Sequence, residues 1–147
     1  MSHKIQKGFS LVTAIFLLVV LGGLGMAMMT FFTAQQQSSA LDVLGSRAYH
    51  ASRAGIEWGA YQVLQNSGVG FAPTCRNAPT SQTLAAGTLA GTLSGFDVNV
   101  ACRASAHSEV GAPNGTLTVY LITATALRGM AGQPDYVERQ ISATIAQ

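Results

Sequence analysis

Cys75, Cys102, Asp97, Ser105 and His107 are the side chains here whose types could support chemistry beyond packing. Two cysteines could hold a metal only with further ligands, because a structural zinc site needs four. No histidine stands at a spacing that completes such a set, so no metal and no cofactor are expected. Asp97, Ser105 and His107 supply the residue types of an orienting acid, a nucleophile and a base. However, no Gly-x-Ser-x-Gly elbow surrounds Ser105, and a nucleophile needs that kind of turn to present it. His107 falls beside Glu109 in a segment that reads as a loop, while His3 and His50 are remote in sequence. Polar loop residues account for this set, so no catalytic residue is assigned and the chain reads as a non-enzyme. Gly68-Val69-Gly70 precedes no helix pattern, so it is no phosphate-binding or dinucleotide fingerprint. The acidic residues are too scattered to suggest an oxygen cage for calcium.

A different chemistry, cleavage by another protein, is suggested near the N-terminus. Lys4 and Lys7 lead into Gly8-Phe9-Ser10, after which no charged residue occurs before Asp42. From Ala14 to Met29 every side chain is apolar. A helix crosses a bilayer with about 20 mostly apolar residues. A secretory signal is cut after its apolar stretch. Here the small residue that suits a cut, Gly8, comes before it. An uncleaved signal anchor would also keep Lys4 and Lys7 in the cytoplasm. A cleaved secretory signal would have to use Thr33-Ala34-Gln35, a poor site. Each reading brings the chain to a membrane and puts the residues beyond it outside the cytoplasm. In that oxidising compartment Cys75 and Cys102 are expected to pair, with two buried thiols as the alternative. Closing the loop between them is worth roughly 3.5 kcal/mol by chain entropy.

Eight basic residues less Lys4 and Lys7 leave six arginines against six carboxylates. A neutral remainder without a basic stripe gives no footprint for nucleic acid. Only 10% of residues are charged, which suits a subunit surrounded by other subunits or working outside the cytoplasm. The 147 residues leave room for one domain beyond a membrane helix.

No proline occurs from Phe9 to Gln65, so one helix is expected across both an apolar half, 9–34, and an amphipathic half, 35–65. At 1.5 Å per residue it would be roughly 85 Å long. Leu41, Leu44, Ala48, Ala51, Gly55 and Trp58 recur at helical spacing, forming a stripe to pack on a sheet. Gly22, Gly23 and Gly25 could permit close helix contact or loosen the helix during assembly. Residues 66–95 are rich in Gly, Pro, Ser and Thr, and Pro73 and Pro79 limit regular structure. Within them Thr83–Leu93 reads as a turn-rich loop or a short edge strand. Alternation then marks three strands: Phe96, Val98, Val100 and Cys102 on one face; Thr116–Leu127 after the turn signal Asn114-Gly115; and Val137, Arg139, Ile141, Ala143 and Ile145. The expected fold is α+β, a long N-terminal transmembrane spine helix packed on a small antiparallel β-sheet across 66–147, behind a leader at 1–8.

This layout resembles type IV pilins and pseudopilins, and the N-terminus resembles their class III leader. The match is specific from Lys7 to about Leu64. Gly8-Phe9-Ser10-Leu11-Val12-Thr13-Ala14-Ile15-Phe16-Leu17 and Gly45-Ser46-Arg47-Ala48-Tyr49-His50-Ala51-Ser52-Arg53-Ala54-Gly55-Ile56-Glu57-Trp58-Gly59 are similar to minor pilin-like proteins of mannose-sensitive haemagglutinin (MSHA) pili. The resemblance implies cleavage by prepilin peptidase between Gly8 and Phe9, with N-methylation of Phe9. It implies a bacterial inner-membrane protein with a cytoplasmic N-terminus and a periplasmic C-terminal domain, which later joins a pilus at the cell surface. The implied partners are major and minor pilins, prepilin peptidase, the inner-membrane assembly platform and, before assembly, membrane lipid. Thr13 stands where major pilins carry a glutamate, whose carboxylate answers a neighbour's N-terminal ammonium. That departure implies a tip or initiation subunit, or a shaft subunit that tolerates the loss. A minor pseudopilin of a type II secretion system and a signal-anchored periplasmic binding or enzyme domain are the competing expectations.

Overall fold

A computed structural model describes residues 11–111 and 115–147, apart from the side chains of Thr33, Ala34 and Gln37. The chain runs α1 (Leu11–Leu64), α2 (Phe71–Asn77), β1 (Thr80–Leu84), a 3-10 turn (Gly91–Leu93), β2 (Asp97–Ser108), β3 (Thr116–Arg128) and β4 (Val137–Ala146). It is an α+β arrangement of two compact units, Met1–Ala40 and Leu41–Gln147.

In the first unit, α1 is continuous and proline-free, and Leu11–Phe32 is a 22-residue stretch long and apolar enough to cross a membrane. At 1.5 Å per residue it spans about 33 Å, close to the thickness of a hydrocarbon core. None of this stretch is buried, and a Cβ placed on Gly22, Gly23 or Gly25 would meet nothing within 4 Å. Along Leu11–Phe32 its large apolar side chains are exposed.

The second unit is a four-stranded antiparallel meander in the order β1-β2-β3-β4, with the α1 segment from Leu41 onward on one face. The central pair runs from Asp97↔Leu127 to Ser108↔Thr116. The alternation expected in β2 is present: Val98, Val100 and Cys102 are buried together, with Phe96 just before the strand. In β3 the buried face is Tyr120, Ile122, Ala124 and Ala126, while Leu121 stays 44% exposed. The sheet has four strands rather than three, because Thr80–Leu84 pairs with Val98–Cys102 as an edge. The strand therefore begins before Thr83, and the residues after Leu84 form turns.

Helix meets sheet through glycine. A Cβ on Gly55 would lie 2.6 Å from Val98 Cγ1 and 3.0 Å from Ala124 Cβ. One on Gly59 would lie 2.9 Å from Ile122 Cγ2 and 3.2 Å from Val100 Cγ1. Four helical residues rise about 6 Å and two strand residues about 6.6 Å, so α1 steps along β2 in the same direction. The buried helix positions are Ala48, Ala51, Ser52, Gly55, Gly59 and Val63. Ser52 satisfies its hydroxyl locally by donating to Tyr49 O at 2.9 Å. The covered line thus differs from the expected stripe. Ala48, Ala51 and Gly55 lie on it, Leu44 is half-buried, Leu41 is 43% exposed, and Trp58 is half-buried, packed against the core from its rim. Small residues let the backbone approach closely, and that contact selects the 51-55-59-63 row over the bulkier one.

Two local expectations are also corrected. Gly70, at φ 66°, caps a seven-residue helix, so the Gly68-Val69-Gly70 segment does lead into a helix. Pro73 fits there because the first turn of a helix has no intrahelical use for its N–H. His107 lies in β2 and not in a loop. The turn residue Asn114 lies outside the described residues.

Candidate functional site

Ser105 Oγ and His107 Nε2 are 3.0 Å apart, neighbours on one exposed face of β2. Asp97 is ten residues along the same strand, roughly 33 Å away at strand rise. Its Oδ1 accepts from Ala86 N at 2.7 Å. The strand therefore separates the three residue types that a triad would have to gather. Among the described residues no three His, Cys, Asp or Glu side chains are grouped so as to hold a metal.

Cys75 and Cys102 are joined, with their Cα atoms 5.7 Å apart and both residues buried. The bond fastens α2 to β2. Arg76 reinforces the attachment, donating through Nη1 to Tyr120 OH at 3.1 Å and through Nη2 to Ser67 O at 2.8 Å. One turn before Cys75 on the same face of α2, Phe71 meets Trp58 edge-to-face, centroids 5.1 Å apart at 63°. Thus α2 latches the end of α1 to the sheet, and Trp58 packs on this latch. Phe71, Ala72 and Cys75 are its buried residues. Their one-turn spacing was the available sequence signal, but Gly- and Pro-rich surroundings obscured it.

Of the depressions in the second unit, two run beside α1. One, of about 410 Å³, lies between α1 and the 3-10 turn, lined by Arg47, His50, Arg53, Glu57 and Leu93. Its Arg53 Nε–Glu57 Oε1 pair, at 3.1 Å, is exposed and spaced i,i+4. Such pairs contribute only about 0.3–0.5 kcal/mol. The other, of about 440 Å³, follows α1 and β4 past Leu41, Tyr49, Arg139 and Ile141. Neither encloses an unpartnered buried polar atom. In the loop before β4, Tyr136 donates its phenol to the Glu138 carboxylate, and that bond raises its pKa above the ordinary tyrosine value.

Thr13 is an exposed residue of the apolar segment, and Leu11–Ala40 carries no ionisable side chain. Gly8 and Phe9, the expected cleavage and methylation positions, lie outside the described residues together with Lys4 and Lys7. The described residues thus present an exposed apolar helix and a disulfide-latched sheet. No protein-family model matches this chain, and neither a curated protein nor a solved structure matches it.

Proposed function

We propose that this chain is a minor pilin-like subunit, of the MshP type, that helps initiate an MSHA-type pilus and sits at or near its tip. The observation that carries the reading is one helix with two different halves. Its first half offers an uncharged apolar surface to membrane or to neighbouring helices. Its second half is the packed spine of a small antiparallel sheet held by a disulfide. The leader order Lys7-Gly8-Phe9 supports the same reading from sequence. Prepilin peptidase then removes residues 1–8, and Phe9 becomes the methylated N-terminus. Pilins and the assembly platform are the partners, and the chain performs no catalysis of its own.

Intact-mass measurement of the membrane-extracted protein tests this. The expected species lacks Met1–Gly8 and carries one added methyl group. A species retaining those residues in peptidase-positive cells makes the chain a signal anchor. The tip position follows from Thr13, which brings no carboxylate to answer the ammonium of a subunit above. An unpaired carboxylate in an apolar core is costly. Thr13→Glu is therefore expected to leave assembly unimproved or impaired. Immunogold label along the whole shaft, or easier incorporation of Thr13→Glu there, would remove the tip assignment and leave the pilin reading standing.

A further inference from the structure

The two open edges of the sheet fit one another. Successive strands alternate in direction, so β4 runs antiparallel to β1. Val98, Val100, Ile122 and Ala124 are buried beneath α1, so the residues between them face away from it. On that outer face the registers align Thr83, Asn99, Thr125 and Gln140 in one rank, and Ser81, Ala101, Thr123 and Ser142 in the next. Both ranks are uncharged and cross-linked. Asn99 Nδ2 donates to Thr83 Oγ1 at 3.1 Å, Thr125 Oγ1 donates to Gln140 Oε1 at 3.4 Å, and the Thr123 and Ser142 hydroxyls bond at 3.1 Å. Each rank simply stops at the edges, where the Gln140 amide nitrogen has no protein partner among the described residues.

The backbone repeats the match. Gln147 and Thr118 exchange both N–H···O bonds, at 2.9 and 2.8 Å. Alternation then aims the backbone groups of odd-numbered β4 residues at β3, and those of Gln140 and Ser142 at the open edge. Glu109 N donates to Gly115 O, which by the same alternation aims even-numbered β2 residues at β1. Their β1 partners are even-numbered too, so Ser81 and Thr83 point outward. The residues that end the ranks also carry the unpaired N–H and C=O groups of the edges.

We propose that a second copy of this chain docks its β1 against β4, antiparallel, with Gln140 opposite Thr83 and Ser142 opposite Ser81. Both pairings belong to one register, and both place outward-aimed backbone groups face to face. The Gln140 amide would donate to the neighbour's Thr83 hydroxyl, continuing the rank. Pro79, lacking an N–H, ends the seam. From Gln140 to Ala146 β4 carries no Pro, charge or bulge against pairing, the usual defences of an edge, and its two charged residues, Glu138 and Arg139, precede the seam's first rank. A second copy is the occupant because the two edges complement each other, and because this contact keeps the α1 segments of both copies running the same way. Pairing β4 with β4 antiparallel would reverse one of them, which chains anchored in one membrane cannot do. That choice rests on the anchored-subunit reading above. The seam is short, so it depends on the raised effective concentration of copies confined to one membrane.

Cysteine pairs in native membranes test the register. Opposed residues of a hydrogen-bonded antiparallel pair have Cα atoms about 5.5 Å apart, within disulfide reach. Within one chain Thr83 and Gln140 are three strand spacings apart, about 14 Å, too far to bridge. Mild oxidation of the Thr83→Cys/Gln140→Cys chain should give dimers and longer ladders. Thr83→Cys and Gln140→Cys chains expressed together should stop at dimers, and each alone should give none. Ser142→Pro, which removes an N–H that the single sheet does not use, should lower cross-linking about tenfold. The unfolding midpoint of every variant, measured on the full chain in detergent, should stay near that of the parent. Four outcomes overturn the proposal: no cross-link in folded protein, cross-linking by Gln140→Cys alone, equal yield from the out-of-register Ser81→Cys/Gln140→Cys pair, or indifference to Ser142→Pro. A chain that keeps residues 1–8 yet forms the ladder would sink the prepilin reading and leave the seam intact.

Discussion

The two halves of α1 share one backbone conformation and use it in opposite ways. Around Gly22, Gly23 and Gly25 there is space on every side, whereas Gly55 and Gly59 have no room for even a methyl group. The first half is strongly apolar yet wholly exposed, and the second is mixed in composition yet buried along one row. Hydrophobicity alone therefore does not indicate what a helix packs against within its own chain. In the first half it describes the solvent or partner the helix needs. In the second, side-chain size decides the contact, because Ala, Ser and Gly let the helix sit close over Val98, Val100 and Ile122.

The largest expected break between the halves comes from the disulfide, which lies wholly in the second. Replacing Cys75 and Cys102 with serine should cost that unit roughly 3.5 kcal/mol and leave the helicity of the first half unchanged. Trp58 is the sole tryptophan and packs on the α2 latch, so its fluorescence during denaturant unfolding reports the second unit. An unshifted midpoint would mean the latch holds without its covalent bond.

Trp58 itself comes next. It is half-buried, packed on Phe71 and against the rim of the core. Trp58→Ala should cost about 2 kcal/mol, below the range for a fully buried aromatic, and an edge-to-face pair accounts for about 1 of that. Circular dichroism on heating measures it. An unchanged melting midpoint would take Trp58 off the latch and, on the function proposed above, assign it to a contact with another subunit.

A matched glycine pair sharpens the comparison directly. Gly55→Ala forces a methyl against the β-branched Val98 and the rigid Cβ of Ala124. Overpacking of this kind costs about 1–3 kcal/mol, offset by up to about 1 from better helix propensity. A net loss near 1 kcal/mol is expected for the second unit. Gly22→Ala meets nothing and should leave that unit's unfolding unchanged. Equal effects at the two positions would contradict the distinction between the halves.

What could be read in advance follows the same division. The apolar half was plain from Ala14–Met29, and β2 and β4 were plain from alternation over a polar partner face. β3 was less so, because Leu117, Val119 and Leu121 are as apolar as Tyr120 and Ile122, and only packing on α1 chooses between them. β1 was hard to see: Thr80-Ser81-Gln82-Thr83 has no apolar alternation, since an edge strand needs only its backbone and one buried side chain, Leu84. On the helix Ala48, Ala51 and Gly55 of the expected stripe are buried, but bulk pointed to Leu41 where the close approach to the sheet buries Ser52 and Gly59. The leader processing proposed above rests on the local sequence Gly8-Phe9, which lies outside the described residues.

The smallest expected effect belongs to Leu41, the first residue of the second unit. By spacing it continues the Leu44-Ala48-Ala51 stripe, yet it is 43% exposed, beside the shallow groove along β4. Among the described residues the sheet ends at β4, so no fifth strand of the same chain covers it. Removing a half-exposed side chain outside the packed row usually changes stability by less than about 0.5 kcal/mol. Leu41→Ala should therefore leave the unfolding midpoint of the second unit within error of the parent. A cost of about 2 kcal/mol, typical of a buried leucine, would mean that Leu41 is covered in the folded protein and that the packed row begins one turn earlier.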